Sequence, residues 1–195
     1  MNVVLVKYNA GNIQSVLYAL ERIGISATVT DDHEKIRSAD KVLFPGVGEA
    51  YSAMQSLKEK NLDKVIKELK QPVLGICVGL QLMCRRSEER ETEGLGIFDV
   101  EVRKFPSLGF KIPQIGWNNI YNLKTDLFMG VEDNSYVYFV HSYYAELSEW
   151  TIATADYAVE YSAALQKDNF YGVQFHTEKS AGTGERILRN FIELK

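Results

Sequence analysis

An alternation of short apolar runs with amphipathic segments over residues 1–80 constrains the fold most. VVLV at 3–6 is typical of a buried strand, and the apolar residues between 13 and 23 then recur at helical spacing. Three further strands are predicted, at 26–30, in KVLFPGVG at 41–48, where the strand runs into a glycine-rich turn, and at 72–77; they are separated by a short polar helix and by helices at 49–59 and 61–69. Strands separated by helices need crossover connections, so this half predicts a mainly parallel sheet with helices on both faces.

The second half is richer in β-branched and aromatic segments. Strands are predicted at 94–104, 136–144, 151–155, 161–167 and 170–175, and GTGERILRNFIELK at the end predicts an amphipathic helix. No linker, repeat or charge block marks a boundary. We therefore expect one domain over residues 1–195, an α/β fold with an open, mostly parallel, flavodoxin-like sheet and extra antiparallel strands in the second half.

Charge and hydropathy exclude several kinds of partner. The net charge is −4, and no apolar stretch approaches the roughly 20 residues that span a bilayer, so neither nucleic acid nor a membrane is expected as a partner. The N-terminus lacks the features of a signal peptide. Cys77 and Cys84 lie seven residues apart on a presumed helix, too far to form a disulfide. These features predict a reduced, cytoplasmic protein.

Cys77 stands between two glycines in LGICVGLQLM, where a strand is predicted to turn into a helix. Gly75 and Gly79 would make a sharp turn possible, with the sulfur projecting above the sheet and the Val78 N–H free at a helix N-terminus. Such a turn can present a nucleophile together with an oxyanion donor. The alternative is a small buried hydrophobic residue, which is also what we expect of Cys84 because it lacks the glycine frame.

A nucleophilic thiol needs a base, and the base needs an orienting group. Of the three histidines, His33 lies among charged residues and is most simply a surface residue, whereas His176 ends the apolar run YGVQF. A carboxylate two residues later, Glu178, can hold the imidazole in one tautomer and leave Nε2 free to take the thiol proton. With Cys77 also at a strand end, the pattern favours catalysis over a structural histidine.

The loop FPGVGEA follows another predicted strand end. An ordinary turn between a strand and a helix would explain why Pro45 and Gly46 are present, but it would not explain why a second glycine, Gly48, is needed. We favour a second oxyanion donor from the Gly46–Val47–Gly48 backbone. A metal site of Cys77, His141, His176 and Glu178 can also be drawn, but no CxxC or HxxxH spacing supports it, so neither a metal nor a cofactor is expected.

Together these motifs resemble a known family. GICVGLQ with a distant FHxEKS resembles the class I (triad) glutamine amidotransferases. YNAGNIQSV, FPGVGEA, PQIGWN, YFVHSYY and QFHTEKS, in this order along nearly the whole chain, are similar to the glutaminase subunits of imidazole glycerol phosphate synthases in histidine biosynthesis. The resemblance implies an amidotransferase fold and attack of the Cys77 thiol on the glutamine side-chain amide, with His176 as base and Glu178 orienting it.

The resemblance also implies roles for other residues. Gln81 and Glu89 match residues that grip the substrate, and His141, Ser142 and Tyr143 match the segment whose backbone holds the polar head of the amino acid. In this family the ammonia passes through a channel into a (β/α)₈-barrel cyclase partner, which forms a heterodimer with the glutaminase and switches it on. Asn12, Trp117, Asn118 and Lys179 match positions near that partner. Control is expected through a peptide flip in the PGVG loop that completes the oxyanion hole.

Two departures leave alternatives open. Thr177 stands where the family usually has proline, and Gln114 replaces an often-seen histidine near the partner face. The chain could therefore serve a paralogous synthase, such as one that aminates a sugar nucleotide. A cysteine hydrolase of the same fold would give no role to Gln81, YFVHSYY or PQIGWN. A non-catalytic regulatory subunit would not be expected to retain cysteine, histidine and glutamate together.

Overall fold

A computed structural model of the chain describes residues 1–9 and 11–194. Its first half alternates strands with helices as the sequence predicts. In chain order the elements are β1 (Val3–Val6), α1 (Ile13–Arg22), β2 (Ala27–Thr30), α2 (His33–Arg37), β3 (Lys41–Gly46), α3 (Ala50–Glu59), α4 (Leu62–Glu68), β4 (Val73–Cys77) and α5 (Val78–Met83).

The second half is mostly strands and ends in a helix. Its elements are β5 (Cys84–Ser87), β6 (Thr92–Glu93), β7 (Phe98–Lys104), β8 (Gln114–Ile120), β9 (Ser135–His141), β10 (Tyr143–Ala145), β11 (Thr151–Tyr157), β12 (Val159–Lys167), β13 (Phe170–Val173) and α6 (Ala181–Glu193). Three short 3₁₀ turns lie at Glu89–Glu91, Asp126–Phe128 and Thr177–Lys179.

One large sheet contains strands from both halves. Its order is β2-β1-β3-β4-β13-β12-β10-β7-β5-β6, with β11 paired to β12, while β8 and β9 form a separate antiparallel pair. The five strands from β2 to β13 are parallel, and those from β12 to β7 pair antiparallel. The predicted fold class is confirmed. The carboxyl ends of β1, β3, β4 and β13 share one edge, where open α/β sheets bind ligands.

The helices lie in two groups, one on each face of the sheet. Crossovers between parallel strands are right-handed, so connections that leave β1 in opposite directions place their helices on opposite faces. α1 and α6 lie together and are joined by an ion pair between Arg22 and Glu185, 2.9 Å apart. α3 packs against both α4 and α5, and α2 packs against α4. The strands between the groups are buried, β1, β3 and β4 along their whole length. None of the described helices is long and apolar enough to cross a membrane.

Three details differ from the sequence predictions. The helix after Cys77 ends at Met83, and Cys84 begins β5 instead of continuing that helix. The predicted strand 136–144 is two strands, because the chain leaves β9 at Ser142 and joins the large sheet as β10. β8, which contains most of PQIGWN, was not predicted.

Candidate active site

Cys77 is the last residue of β4 and immediately precedes α5. Its backbone has φ 54° and ψ −109°, a left-handed conformation that side-chain-bearing residues rarely adopt. The predicted sharp turn is therefore present and strained. Val78 is the first residue of α5, so its N–H has no acceptor within the helix.

Gly75 and Gly79 allow this turn because no side chain fits at either position. A Cβ on Gly75 would lie 2.9 Å from the Gly79 carbonyl oxygen and would also strike the Met83 side chain. A Cβ on Gly79 would collide with the Phe44 carbonyl of the neighbouring strand β3. The glycines thus let β3, β4 and α5 approach closely enough to hold Cys77 at the edge of the sheet.

His176 follows β13, the strand beside β4, and lies in the same cavity as Cys77. Its Nδ1 is 2.7 Å from Glu178 Oε1, and both side chains are buried. Burial opposes the charged imidazole, but hydrogen-bonding and charge interactions with Cys77 and Glu178 outweigh it and raise the pKa of His176 to about 10. The three residues form an arrangement in which the imidazole can hold the thiol proton.

Asn12 contacts the Glu178 carboxylate directly. Its side-chain Nδ2 donates to Glu178 Oε1, the oxygen that also faces His176. Glu178 Oε2 has no hydrogen-bond partner among the residues that the structure describes. Thr177, in the position where the family usually has proline, is buried at the start of the 3₁₀ turn that carries Glu178. In the part of the chain that the structure describes, Asn12 and His176 are therefore the two side chains that hold this carboxylate, both through Oε1.

A cavity of about 530 Å³ opens above Cys77 and His176. It brings together most residues that the sequence predicted for the site, from widely separated parts of the chain. The lining includes Asn12, Val47, Gly48, Cys77, Val78, Gln81, Glu89, His141, Ser142, Tyr143, His176 and Lys179. Its size suits an amino-acid ligand.

The glycine-rich loop lies next to Cys77. Gly46 ends β3 and pairs directly with Cys77, and Val47 and Gly48 continue into the cavity wall. Gly48 has φ +104°, a conformation that favours glycine. Beneath the loop the buried Tyr8 hydroxyl donates to the Pro45 carbonyl at 2.9 Å and occupies the space that a Cβ on Gly46 would need. Tyr8 was not predicted as part of the site, although it belongs to the YNAGN motif.

His141, Gln81 and Tyr143 are joined through one carbonyl oxygen. His141 Nδ1 lies 2.7 Å and Gln81 Nε2 lies 3.0 Å from Tyr143 O. Because a carbonyl oxygen only accepts, the His141 proton is on Nδ1. Burial lowers the pKa of His141 to about 4, so its ring is neutral and holds the 141–143 segment in place.

Gln174 is a site residue that was not predicted from the sequence. It is fully buried, its Nε2 lies 3.6 Å from the Cys77 sulfur, and its Oε1 accepts from Gln81 Nε2 at 3.0 Å. The available signal was a glutamine within the otherwise apolar run YGVQF, two residues before His176. A polar side chain there needs a buried partner, and the sequence alone does not identify it.

Glu89 is half-buried at the cavity wall, where its Oε2 accepts from the Ala50 N–H at 2.6 Å. Desolvation raises the pKa of this carboxyl, and the charge of Glu49 adds to the effect. The Ala50 N–H is the first of α3, so Glu89 also caps that helix. Glu89 can thus offer its carboxylate to a ligand from a fixed position.

The residues predicted to face a partner do not all lie on one surface. Trp117 is half-exposed and packs against Tyr138, and Lys179 Nζ lies 6.0 Å from the centre of the Tyr138 ring. Asn118 follows Trp117 on β8 and so points to the opposite face of the β8–β9 pair, where its Nδ2 donates to the Asp156 carbonyl. Its role toward a partner stays a prediction.

Cys84 is buried away from the cavity lining, its Sγ lies 3.5 Å from the Leu80 carbonyl, and burial raises the pKa of this thiol well above its usual range. Within residues 1–9 and 11–194, no group of three or more histidine, cysteine or acidic side chains is arranged to hold a metal ion.

A strained cysteine at a strand end, beside a buried histidine–glutamate pair, is the arrangement expected of α/β enzymes that use a thiol nucleophile. The family model described as "Glutamine amidotransferase class-I" matches residues 4–194, and the chain belongs to this family. Solved structures of lower identity have the same fold. A crystal structure of a glutamine amidotransferase has a TM-score of 0.76 at 17% identity, covering 99% of this chain and 98% of its own. A putative GMP synthase component from Thermoplasma acidophilum has a TM-score of 0.76 at 21% identity, covering 98% and 92%.

Curated relatives of high identity carry a more specific name. The imidazole glycerol phosphate synthase subunit HisH of Bacteroides fragilis strain YCH46 is 57% identical over the full length of both chains. The proteins of that name from Bacteroides thetaiotaomicron and Escherichia coli K12 are 55% and 46% identical, also over the full length of both chains. The family resemblance seen in the sequence motifs is confirmed.

Proposed function

We propose that this chain is the glutaminase subunit of an imidazole glycerol phosphate synthase, and that residues 1–195 form one amidotransferase domain. It hydrolyses glutamine to glutamate and ammonia, and the ammonia is used by a partner that makes imidazole glycerol phosphate and AICAR in histidine biosynthesis. The observation that carries this proposal is that Cys77 and His176 line one cavity, with Glu178 buried behind His176 and 2.7 Å from its Nδ1. Full-length relatives with the subunit name support the choice of pathway.

In the first half-reaction the Cys77 thiolate attacks the carbonyl carbon of the glutamine side-chain amide. The carbonyl oxygen becomes an oxyanion, which the Val78 N–H and a second N–H from the Val47 loop would bind. His176, protonated at neutral pH, gives its proton to the departing nitrogen. The C–N bond breaks, ammonia leaves, and a γ-glutamyl thioester remains on Cys77.

In the second half-reaction the neutral His176 takes a proton from water, and the resulting hydroxide attacks the thioester. The C–S bond breaks, glutamate leaves, and Cys77 returns as a thiolate beside the protonated imidazole. Glu178, buried and 2.7 Å from Nδ1, stabilises the charged ring in both half-reactions. Gln81, Glu89, Ser142, Tyr143 and the Gly46–Gly48 loop would hold the substrate around this centre, and His141 would hold the 141–143 segment.

The partner would be a (β/α)₈-barrel cyclase that forms a heterodimer with this chain. One face of β8 and β9 exposes Ile115, Trp117 and Tyr136, an apolar surface beside the cavity residues Asn12 and Lys179. Tyr138 packs against Trp117, and its backbone carbonyl accepts a hydrogen bond from the backbone N–H of His176 at 2.9 Å. A partner on this face would therefore lie one residue away from the base, which supports control by the partner.

One donor missing from an oxyanion hole costs about 10²–10³ in rate. If the Val47 loop supplies that donor only when the partner is bound, the isolated chain hydrolyses glutamine slowly and the two reactions stay coupled. Cys77 and Cys84 are both free thiols, which fits a cytoplasmic location for this chemistry.

The test uses Cys77→Ala together with a barrel partner and its nucleotide substrate. We expect product formation from glutamine to be abolished and formation from added ammonium salts to continue, because only the ammonia supply has been removed. Loss of the ammonium-dependent reaction as well would contradict this division of labour. A chain that serves a sugar-nucleotide synthase would instead fail to support the barrel partner even before mutation.

A further inference from the structure

We propose that the Gln174 side-chain amide holds the Cys77 sulfur in its thiolate form, as a further residue in contact with the reacting atom. Gln174 is fully buried, and its Nε2 is 3.6 Å from Sγ. An N–H donor directed at sulfur stabilises the anion more than the neutral thiol, because hydrogen bonds to charged groups are the stronger ones. This inference rests on the proposed function only in taking Cys77 as the nucleophile.

The direction of the Gln174 amide follows from a backbone group. The Tyr143 carbonyl can only accept, so the Gln81 atom 3.0 Å from it is the amide nitrogen. That same nitrogen lies 3.0 Å from Gln174, whose near atom must therefore be the oxygen. The Gln174 nitrogen then faces Cys77. The assignment does not depend on a free choice between the two ends of either amide.

This chain of hydrogen bonds gives Gln81 a second task. Gln81 lines the cavity, whereas Gln174 lies behind Cys77, outside the cavity lining. Both amide hydrogens of Gln81 are used within the protein, one by Tyr143 and one by Gln174. Gln81 thus acts as a positioning residue that keeps the Gln174 donor directed at the sulfur.

Other groups near the sulfur make a separate test necessary. His176 lines the same cavity as Cys77 and its pKa is raised in part by that sulfur, the charge of Cys77 also acts on the buried Tyr8 hydroxyl, and the neutral His141 lines the cavity as well. The Val140 carbonyl is 3.9 Å from Sγ and can only accept. Among these groups only His176 carries a formal positive charge, and Gln174 supplies a neutral donor in addition to it.

The experiment measures alkylation of Cys77 by iodoacetamide as a function of pH, in a full-length Cys84→Ser background with no glutamine and no partner. Gln174→Met keeps the length of the side chain and removes the donor. We expect the alkylation midpoint to rise by about one pH unit, and the rate at pH values below the parent midpoint to fall about tenfold. Gln81→Leu should produce part of this shift, which loss of a substrate contact cannot do when no substrate is present.

Gln166→Met is the matched control, because Gln166 lies on the neighbouring strand β12 and its amide bonds to the Tyr171 hydroxyl, away from the cavity. Its midpoint should equal that of the parent chain. An unchanged midpoint in folded Gln174→Met would overturn the proposal. If that variant does not fold, Gln174→Asn, which keeps an amide but withdraws it from the sulfur, decides in the same way. The assay needs neither glutamine nor partner, so it is independent of the proposed function. The role of Gln174 can be refuted while the chain is shown to be a glutaminase, and it can be supported while the chain is shown not to be one.

Discussion

The Asn12 side chain donates a hydrogen bond to Glu178 Oε1, so the residue that precedes the first helix holds the carboxylate that faces His176. Asn12 adopts φ 73°, a left-handed conformation that asparagine tolerates better than most residues. The motif YNAGN therefore has a role inside the site, in addition to the partner-facing role that the sequence suggested.

Replacing Asn12 by alanine should lower kcat for glutamine about tenfold to a hundredfold with little change in KM. A hydrogen bond to a charged group contributes about 1.5–3 kcal/mol, and its loss frees Glu178 to rotate away from His176. The measurement is glutamine hydrolysis by the isolated chain. If Asn12 acted only by touching a partner, the isolated variant would match the wild type. Asn118→Ala is the control, since its amide bonds to the Asp156 carbonyl outside the site.

The stability of the fold should depend on pH through His176. Its pKa is raised from 6.5 to about 10, so the folded chain binds this proton more tightly than the unfolded chain does. The resulting stabilisation is fully present below about pH 6.5 and is lost as the pH rises through about 10. Urea unfolding of wild type and His176→Gln should show a free-energy difference that shrinks over this range. A constant difference would mean that the imidazole is not charged in the folded state.

Gly79→Ala should lower the free energy of unfolding by at least about 1–3 kcal/mol and should abolish activity. The added methyl meets the Phe44 carbonyl, and neither β3 nor the turn can move without displacing Cys77. Gly182→Ala offers a matched control, because nothing lies within 4 Å of a Cβ at that position of α6. There alanine should be neutral or stabilising by about 0.5–1 kcal/mol. Thermal unfolding of both variants compares them directly.

Cys84→Ser should leave glutamine turnover nearly unchanged, whereas Cys77→Ser should be almost inactive. Burial raises the pKa of the Cys84 thiol well above its usual range, so it supplies no thiolate near neutral pH. Its contact with the Leu80 carbonyl can be kept by a hydroxyl. The measurement is the rate of glutamine hydrolysis by each variant. A large loss of that rate in Cys84→Ser would show that the Cys84 thiol takes part in the reaction.

The first half of the fold could be predicted because its signals are local. Each strand is a short apolar run and each helix has its own period, so residues 1–83 need no knowledge of distant partners. The segment 136–144 has one strand-like composition but contributes to two sheets, β9 with β8 and β10 with β7. Strand propensity describes a surface that packs well and does not identify the neighbouring strand.

The same distinction applies to the site. The sharp turn at Cys77 could be predicted because the need for glycine at 75 and 79 lies within a few residues of the sulfur. The role of Gln174 depends on which strand lies beside β4, and the contact of Asn12 with Glu178 joins the two ends of the chain. Such contacts follow from the sheet order, which the sequence pattern leaves open.

The pairing of β4 with β13 has a consequence during synthesis. Cys77 is synthesised well before His176, which follows β13, so the two residues can meet only after β13 has left the ribosome and inserted beside β4. An incomplete or partly opened chain therefore carries a cysteine without its histidine and cannot set ammonia free. Activity of this chain therefore requires that β13 has already folded into the sheet.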